Sequence, residues 1–140
     1  MSERTSGSRD IRRLLVVDDH EDTREMLLEY FESLGFRVET AIDGKDAIAK
    51  ALMTPPDVIL LELELLDLDG WETIKALGGF TTTNEIPIVV CTAAGDEGIR
   101  RARELGCKEI ARKPCSLAKL EAMVRSVLDA GAPKVSGGRF

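Results

Sequence analysis

The stretch PDVILLELELLDLDGWE, residues 56–72, joins an apolar segment to an acidic loop. The run DVILL, residues 57–61, is almost wholly apolar, which is typical of a strand that is covered on both faces of a parallel sheet. Glu62 follows this strand directly. Asp69 and Gly70 have turn chemistry and can begin the next helix. The stretch therefore predicts one unit of strand, acidic loop and helix.

The same unit recurs along the chain. Five predicted strands alternate with five predicted helices. The strands are RLLVVDD, FRVETA, DVILL, IPIVVCTA and CKEIARKP. The helices are DTREMLLEYFESLG, DGKDAIAKALM, GWETIKALGG, DEGIRRARELG and SLAKLEAMVRSVLDAG, with Ser116 as the N-cap of the last. Such alternation predicts an α/β fold, a doubly wound parallel sheet with helices on both faces.

The chain of 140 residues suits one domain. Residues 1–10 are polar and small and are predicted to form a flexible N-terminal tail. Residues 11–130 carry the alternating pattern and form the predicted domain. Residues 131–140 are predicted to be a C-terminal tail or a linker.

Composition narrows the class of protein. The chain is 44% hydrophobic and 31% charged, with a net charge of −6, which argues against a nucleic-acid binder because that function needs clustered Lys and Arg. No apolar run approaches the roughly 18 residues of a membrane span, and no signal peptide opens the chain. We therefore expect a cytoplasmic protein without nucleic-acid or membrane partners. Three cysteines without CxxC spacing indicate neither a disulfide framework nor a zinc site.

Polar residues stand at the ends of the predicted strands. Asp18 and Asp19 end the first, Glu62 follows the third, Thr92 ends the fourth and Lys113 ends the fifth. In open α/β sheets, functional residues collect at the carboxyl ends of the strands, so we expect these side chains to share one pocket. Clustered carboxylates raise one another's pKa or recruit a hard cation, and Mg²⁺ suits an all-oxygen site. The hydroxyl and the ammonium can hold phosphoryl oxygens.

Four motifs in this order resemble the receiver domain of response regulators in two-component signalling. They are LLVVDDHEDTREML, PDVILLELELLDLDGWE, IPIVVCTA and ARKP. The resemblance covers residues 11–130 and implies a flavodoxin-like (βα)5 fold with strand order 2-1-3-4-5. It also implies that Pro114 follows a cis peptide bond.

The resemblance implies a set of site residues. Glu62 occupies the phosphoacceptor position, and Thr92 and Lys113 are the switch hydroxyl and the lysine. The implied Mg²⁺ ligands are Asp18, Asp19, Glu62 and the backbone carbonyl of Glu64. Weak Mg²⁺ binding and no Mg²⁺ binding both stay open at this stage.

Four residues depart from the family pattern. Glu62 replaces the acceptor aspartate, and Leu66 replaces a proline that shapes the next loop. Ile110 stands where an aromatic ring often swings inward on activation, and Cys115 replaces a common phenylalanine. Without an aromatic ring at position 110, the usual coupling of hydroxyl and ring cannot operate.

Glu62 is expected to be a poor nucleophile. Its extra methylene moves the carboxylate by about one bond length, and a misplacement of about 1 Å can cost on the order of 10²-fold in rate. The same methylene moves the oxygens toward Thr92 and Lys113, so an ion pair of Glu62 with Lys113 would partly imitate a phosphorylated state. The imitation is incomplete, because a carboxylate carries one charge and a phosphoryl group nearly two.

Three hypotheses follow. The first is a non-enzymatic receiver that acts through protein–protein contacts and is not phosphorylated in the usual way. The second is an active phosphoacceptor that takes a phosphoryl group from a histidine kinase. The third is that the chain is one domain of a larger protein. Natural divergence and an engineered phosphomimic are both compatible with Glu62.

The expected partner is a histidine kinase or a downstream effector. Its expected docking surface is the fourth helix, the fifth strand and the fifth helix. Six basic residues in this region either bind an acidic patch or form a solvated face; they are Arg100, Arg101, Arg103, Lys108, Arg112 and Lys113. His20 is expected to be solvated, and Asp67 and Asp69 are expected to be loop acids.

Overall fold

The computed structural model describes residues 11–65 and 69–137, with side chains as far as residue 130. The predicted N-terminal tail and three residues of the acidic loop, Leu66, Asp67 and Leu68, lie outside the described residues.

Five strands and five helices alternate in the described part of the chain. The strands are β1 (Arg13–Val17), β2 (Arg37–Ala41), β3 (Val58–Leu61), β4 (Ile88–Thr92) and β5 (Glu109–Arg112). The helices are α1 (Glu21–Ser33), α2 (Gly44–Met53), α3 (Gly70–Gly78), α4 (Asp96–Glu104) and α5 (Leu117–Gly137). The strands form one parallel sheet in the order β2-β1-β3-β4-β5. The predicted fold class and strand order are confirmed.

The sheet separates two apolar cores, because successive side chains of a strand point to opposite faces. The first core joins alternate residues of β1, β3 and β4 to α2, α3 and α4; it includes Leu15, Val17, Ile59, Leu61, Val90, Ala47, Leu77 and Ala102. The second joins the other residues to α1 and α5; it includes Leu14, Val16, Leu60, Cys91, Leu27, Phe31, Leu120 and Val124. The central strands β1 and β3 are therefore apolar on both faces, as their sequences predicted.

Three helices begin at side-chain caps. Asp43 accepts a hydrogen bond from the Asp46 amide, Asp69 from the Glu72 amide and Ser116 from the Lys119 amide. Each cap satisfies an amide that has no partner inside the helix, which stabilises the helix by about 1 kcal/mol. The predicted role of Ser116 is confirmed.

The last helix differs from its predicted length. The sequence pattern ended it at Gly131, whereas α5 continues to Gly137; the assignment of residues 131–140 to a tail or linker stays a prediction. A glycine inside a helix costs only about 1 kcal/mol relative to alanine, so it does not by itself end the helix.

No helix in the described part is long and apolar enough to cross a bilayer.

Gly70 closes the loop that carries the acidic site. Its amide donates to the Leu63 carbonyl at 2.8 Å. A Cβ atom at Gly70 would lie 2.5 Å from the Leu63 Cα atom, and that neighbour is backbone, which cannot rotate away. Only glycine therefore lets α3 begin this close to the residue that follows Glu62.

We predict that Gly70→Ala lowers the free energy of unfolding by about 1–3 kcal/mol, because the added methyl forces the Leu63 backbone aside. Gly78→Ala is the matched control at the other end of α3, since nothing lies within 4 Å of its Cβ position. It should leave stability unchanged or raise it slightly. Urea unfolding followed by circular dichroism measures both, and equal stabilities of the two variants would contradict the close approach.

Candidate functional site

Glu62 lies at the centre of the site, directly after β3. Glu62 is only 5% exposed, and both of its carboxylate oxygens have partners within the protein. Oε1 lies 2.7 Å from the Lys113 ammonium. Oε2 accepts hydrogen bonds from the Thr92 hydroxyl at 2.8 Å and from the Glu64 amide at 2.9 Å. The ion pair that the sequence predicted between Glu62 and Lys113 is present.

Thr92 ends β4 and is completely buried. Its hydroxyl donates to Glu62 and accepts a hydrogen bond from the Ala94 amide at 3.0 Å. These two bonds fix the direction of the hydroxyl, so that it is held toward Glu62 by the backbone of the next loop.

Lys113 approaches the site from the end of β5. Its amide donates to the Thr92 carbonyl at 2.9 Å, and the peptide bond to Pro114 is cis, as the resemblance implied. The ammonium also lies 3.4 Å from Asp18 Oδ2. Burial lowers the pKa of Lys113, but the hydrogen bonds and negative charges of Glu62 and Asp18 outweigh this effect and raise the pKa above its usual value.

Asp18 and Asp19 follow β1 and lie beside this ion pair. Asp18 Oδ1 accepts a hydrogen bond from the His20 amide at 2.9 Å, and the His20 Nδ1 atom lies 3.1 Å from it. Asp19 Oδ1 is buried without a hydrogen bond; His20 Nδ1 is 3.1 Å away but is not in hydrogen-bonding geometry with it. A buried carboxylate oxygen without a donor is a natural ligand for a hard cation, so the acid pair fits Mg²⁺.

His20 is the site residue that the sequence reasoning missed. It was expected to be solvated, and its side chain is indeed 72% exposed. Its ring nitrogen nevertheless contacts both acids, and the potential ligand atoms of Asp18, Asp19 and His20 lie within 4.8 Å of one another. The sequence signal that could have identified His20 is its position directly after the acid pair, because this position places the ring close to the end of β1.

Two predicted metal ligands have other contacts. Both oxygens of Glu62 already face Lys113, Thr92 and the Glu64 amide. Glu64 contributes its backbone N–H to this arrangement, whereas its carbonyl was the predicted ligand. A Glu62 ligand would have to give up at least one of these partners.

Two side-chain contacts join the start of α3 to α4 beside the site. The Trp71 indole donates to the Gly98 carbonyl at 3.1 Å, and the Arg101 guanidinium lies 4.8 Å above the Trp71 ring. Ile110 is half-buried and packs against the core that α2, α3 and α4 share with the sheet. An aliphatic residue therefore fills the position at which the resemblance suggested an aromatic ring.

Two of the basic residues of α4 and β5, Arg100 and Arg112, have acidic partners. Arg100 contacts Glu97 and Glu104, each at 2.5 Å. Arg112 forms an ion pair with Asp96. Internal compensation of this kind reduces the positive field on this surface, which weakens the expectation that it attracts an acidic patch.

Comparisons with known proteins identify the family of the chain. A family model described as the response regulator receiver domain matches residues 14–125. The chain belongs to the response-regulator receiver family. This assignment confirms the resemblance that was stated from the motifs.

Individual relatives cover the same region. The receiver is 38% identical over 117 residues to the transcriptional regulatory protein PrrA of Mycobacterium leprae, covering 83% of this chain and 49% of that protein. It is 36% identical to the response regulator PleD of Caulobacter vibrioides, covering 82% of this chain and 26% of that protein. The receiver thus spans half or less of the length of these relatives.

Solved structures give the same fold over nearly their whole length. The chemotaxis protein CheY4 of Vibrio cholerae matches with a TM-score of 0.78 and 28% identity, covering 84% of this chain and 98% of that one. A two-component response regulator from Clostridium difficile matches with a TM-score of 0.79 and 30% identity, covering 86% and 98%.

We predict a favourable coupling of about 1–3 kcal/mol between Glu62 and Lys113, because each is the other's nearest opposite charge. Unfolding free energies of Glu62→Gln, Lys113→Met and the double variant measure it at neutral pH. Since the pKa of Lys113 is raised above its ordinary 10.5, the coupling persists from neutral pH up to pH 10.5 and is lost as the pH rises through the higher value of the folded state. A coupling near zero at neutral pH would contradict the pair's role.

Proposed function

We propose that this receiver transmits a signal through protein–protein contacts without phosphorylation of Glu62. The supporting observation is the engagement of both Glu62 oxygens by Lys113, Thr92 and the Glu64 amide. A nucleophilic carboxylate needs an oxygen that is free to approach phosphorus in line. Here each oxygen is held by a donor or a cation, so attack would first require these contacts to break.

The same contacts resemble those that a phosphoryl group would make. Thr92 and Lys113 are the hydroxyl and the cation that would hold phosphoryl oxygens, and both already meet a negative group. Glu62 supplies one charge instead of nearly two, so it satisfies only part of this site. We infer a receiver that is held in one state by its own side chain.

Mg²⁺ binding is a secondary part of the proposal. The acid pair Asp18 and Asp19 would hold the ion, with the Glu64 carbonyl as a further oxygen ligand, and His20 lies beside them. The bound ion would neutralise part of the carboxylate charge next to Glu62. Because Glu62 is already paired with Lys113, we expect the site to lack one carboxylate ligand and to bind Mg²⁺ weakly.

The proposed partner is a histidine kinase or a downstream effector, and the proposed surface is formed by α4, β5 and α5. Because Arg100 and Arg112 are paired internally, we expect this contact to depend more on shape and apolar area than on charge. Several relatives are named transcriptional regulators, but this receiver matches only part of them. We propose that the receiver is a cytoplasmic signalling module that has no enzymatic activity on a separate substrate. We also propose that it makes no nucleic-acid contact of its own.

Incubation with acetyl phosphate and Mg²⁺, followed by intact mass measurement, tests this proposal. We predict that the unmodified receiver gains no phosphoryl group. Glu62→Asp should gain one, because the shorter side chain withdraws from Lys113 and Thr92 and opens the space that phosphorus needs. The control Glu62→Asp with Asp19→Asn should lose most of that gain, since it removes a proposed Mg²⁺ ligand.

A phosphoryl mass on the unmodified receiver would favour the alternative, an active phosphoacceptor. Peptide mapping would then identify the modified acid. If neither the receiver nor Glu62→Asp is modified, Glu62 is not what silences the site, and the role given to it here is wrong.

A further inference from the structure

Two of the three cysteines lie on the same side of the sheet, next to the candidate site. Cys91 directly precedes Thr92 on β4, and Cys115 follows the Lys113–Pro114 pair. Both thiols line a cavity of about 650 Å³ that Glu62 and Lys113 also border. Both also belong to the packing between the sheet, α1 and α5.

The two thiols border the same cavity and influence each other electrostatically. Burial, with smaller contributions from the neighbouring Cys115, raises the pKa of Cys91 to about 12. The Cys115 thiol also lies 3.8 Å from the Ser116 carbonyl, to which it can donate its proton. Cys115 is half-buried and Cys91 is 8% exposed, so a small oxidant entering the cavity reaches Cys115 more readily.

The third cysteine lies elsewhere. Cys107 packs in the opposite core, with the residues that face α2, α3 and α4. It does not line the cavity that Cys91 and Cys115 share. The body of the sheet therefore separates Cys107 from the other two thiols, and only one pairing of the three is favoured in the folded chain.

We propose that Cys91 and Cys115 form a reversible disulfide on exposure to a hydroperoxide, and that this bond is a modification site controlling the Glu62 pocket. The proposal for the bond itself stands on the shared cavity and on the 2.9 Å backbone hydrogen bond from Lys113 to Thr92, which joins the two segments that carry the thiols. Only its effect on the pocket rests on the function proposed above.

The chemistry balances in two steps. The Cys115 sulfur attacks one oxygen of hydrogen peroxide, the O–O bond breaks, and the leaving hydroxide takes up the thiol proton to give water and a sulfenic acid. The Cys91 sulfur then attacks the Cys115 sulfur, the S–O bond breaks, and the departing hydroxide takes the Cys91 proton. Two thiols are oxidised to one disulfide, and one peroxide is reduced to two waters.

The high pKa of Cys91 slows the second step, because little thiolate is present at neutral pH. Confinement offsets this effect, since both thiols border one cavity of the folded chain. Oxidation is therefore expected to be slow compared with that of dedicated peroxide sensors, but selective for one pair.

The bond would join the two segments that hold Glu62. Thr92 follows Cys91 directly, Lys113 precedes Cys115 by two residues, and these segments already meet through the 2.9 Å bond from the Lys113 amide to the Thr92 carbonyl. Thr92 and Lys113 contact different oxygens of Glu62. A disulfide between the neighbouring cysteines would restrict their separation and hold the pocket closed.

The test treats the folded receiver with a small excess of hydrogen peroxide, blocks free thiols with an alkylating reagent and maps peptides by mass spectrometry. We expect Cys91–Cys115 peptides to exceed all peptides linked through Cys107 by about tenfold or more. Reductant should restore three free thiols. The control Cys107→Ser should form the same bond, and Cys115→Ser should abolish it.

Two further measurements sharpen the result. The same oxidation in denaturant should lose the preference and give mixed pairings, which separates a folded-state effect from sequence proximity. Hydrogen exchange of the oxidised receiver should be slower at residues 112–116 than in the reduced protein. Equal amounts of all pairings in the folded state, or linkage of Cys91 to Cys107, would overturn the proposal.

The readout is the covalent bond, so it is independent of phosphotransfer. A disulfide in a receiver that acetyl phosphate does modify would retain this inference and reject the proposed function. Absence of the disulfide in a receiver that resists phosphorylation would reject this inference and retain the proposed function. Cys91→Ala should also abolish the bond, and the half-buried Cys115→Ser carries the test if that variant fails to fold.

Discussion

A carboxylate taken out of water requires a counter-charge or several donors, and Glu62 has both. Lys113 supplies the charge at 2.7 Å, and Thr92 and the Glu64 amide supply hydrogen bonds. Removing one member of a buried pair leaves an uncompensated charge, which is costly. The ends of β3, β4 and β5 are thereby joined through one side chain, and the geometry of the whole acidic edge depends on it.

Most of the fold could be predicted from the sequence, because the governing constraint is local in the chain. Strands such as β1 and β3 are apolar on both faces, and helices with an apolar stripe of 3.6-residue periodicity follow them. A parallel sheet with helices on both faces buries the strands and the apolar stripes of the helices together. The strand order came from the resemblance to a known family. The end of α5 was misjudged, because Gly131 is a weak stop signal and the helix continues past it and past Pro133.

The residues of the candidate site could be predicted from the sequence, whereas several of their contacts could not. Thr92, Lys113 and the acids stand at strand ends, and parallel strands bring such positions to one edge. The contact of His20 with both acids depends on the turn after β1, and the internal pairing of Arg100 and Arg112 depends on side-chain directions across α4 and β5. The proximity of two thiols 24 residues apart is likewise a property of packing against α1 and α5.

The compensated charges of α4 have a kinetic consequence for any partner. Surfaces with a strong field of one sign draw oppositely charged proteins together and accelerate their encounter, and that acceleration falls steeply with ionic strength. Arg100 between two glutamates and Arg112 beside Asp96 produce little such field at long range. If the proposed surface is the docking surface, we expect these paired charges to add little to the encounter rate, so that the lifetime of the complex sets which partners are retained.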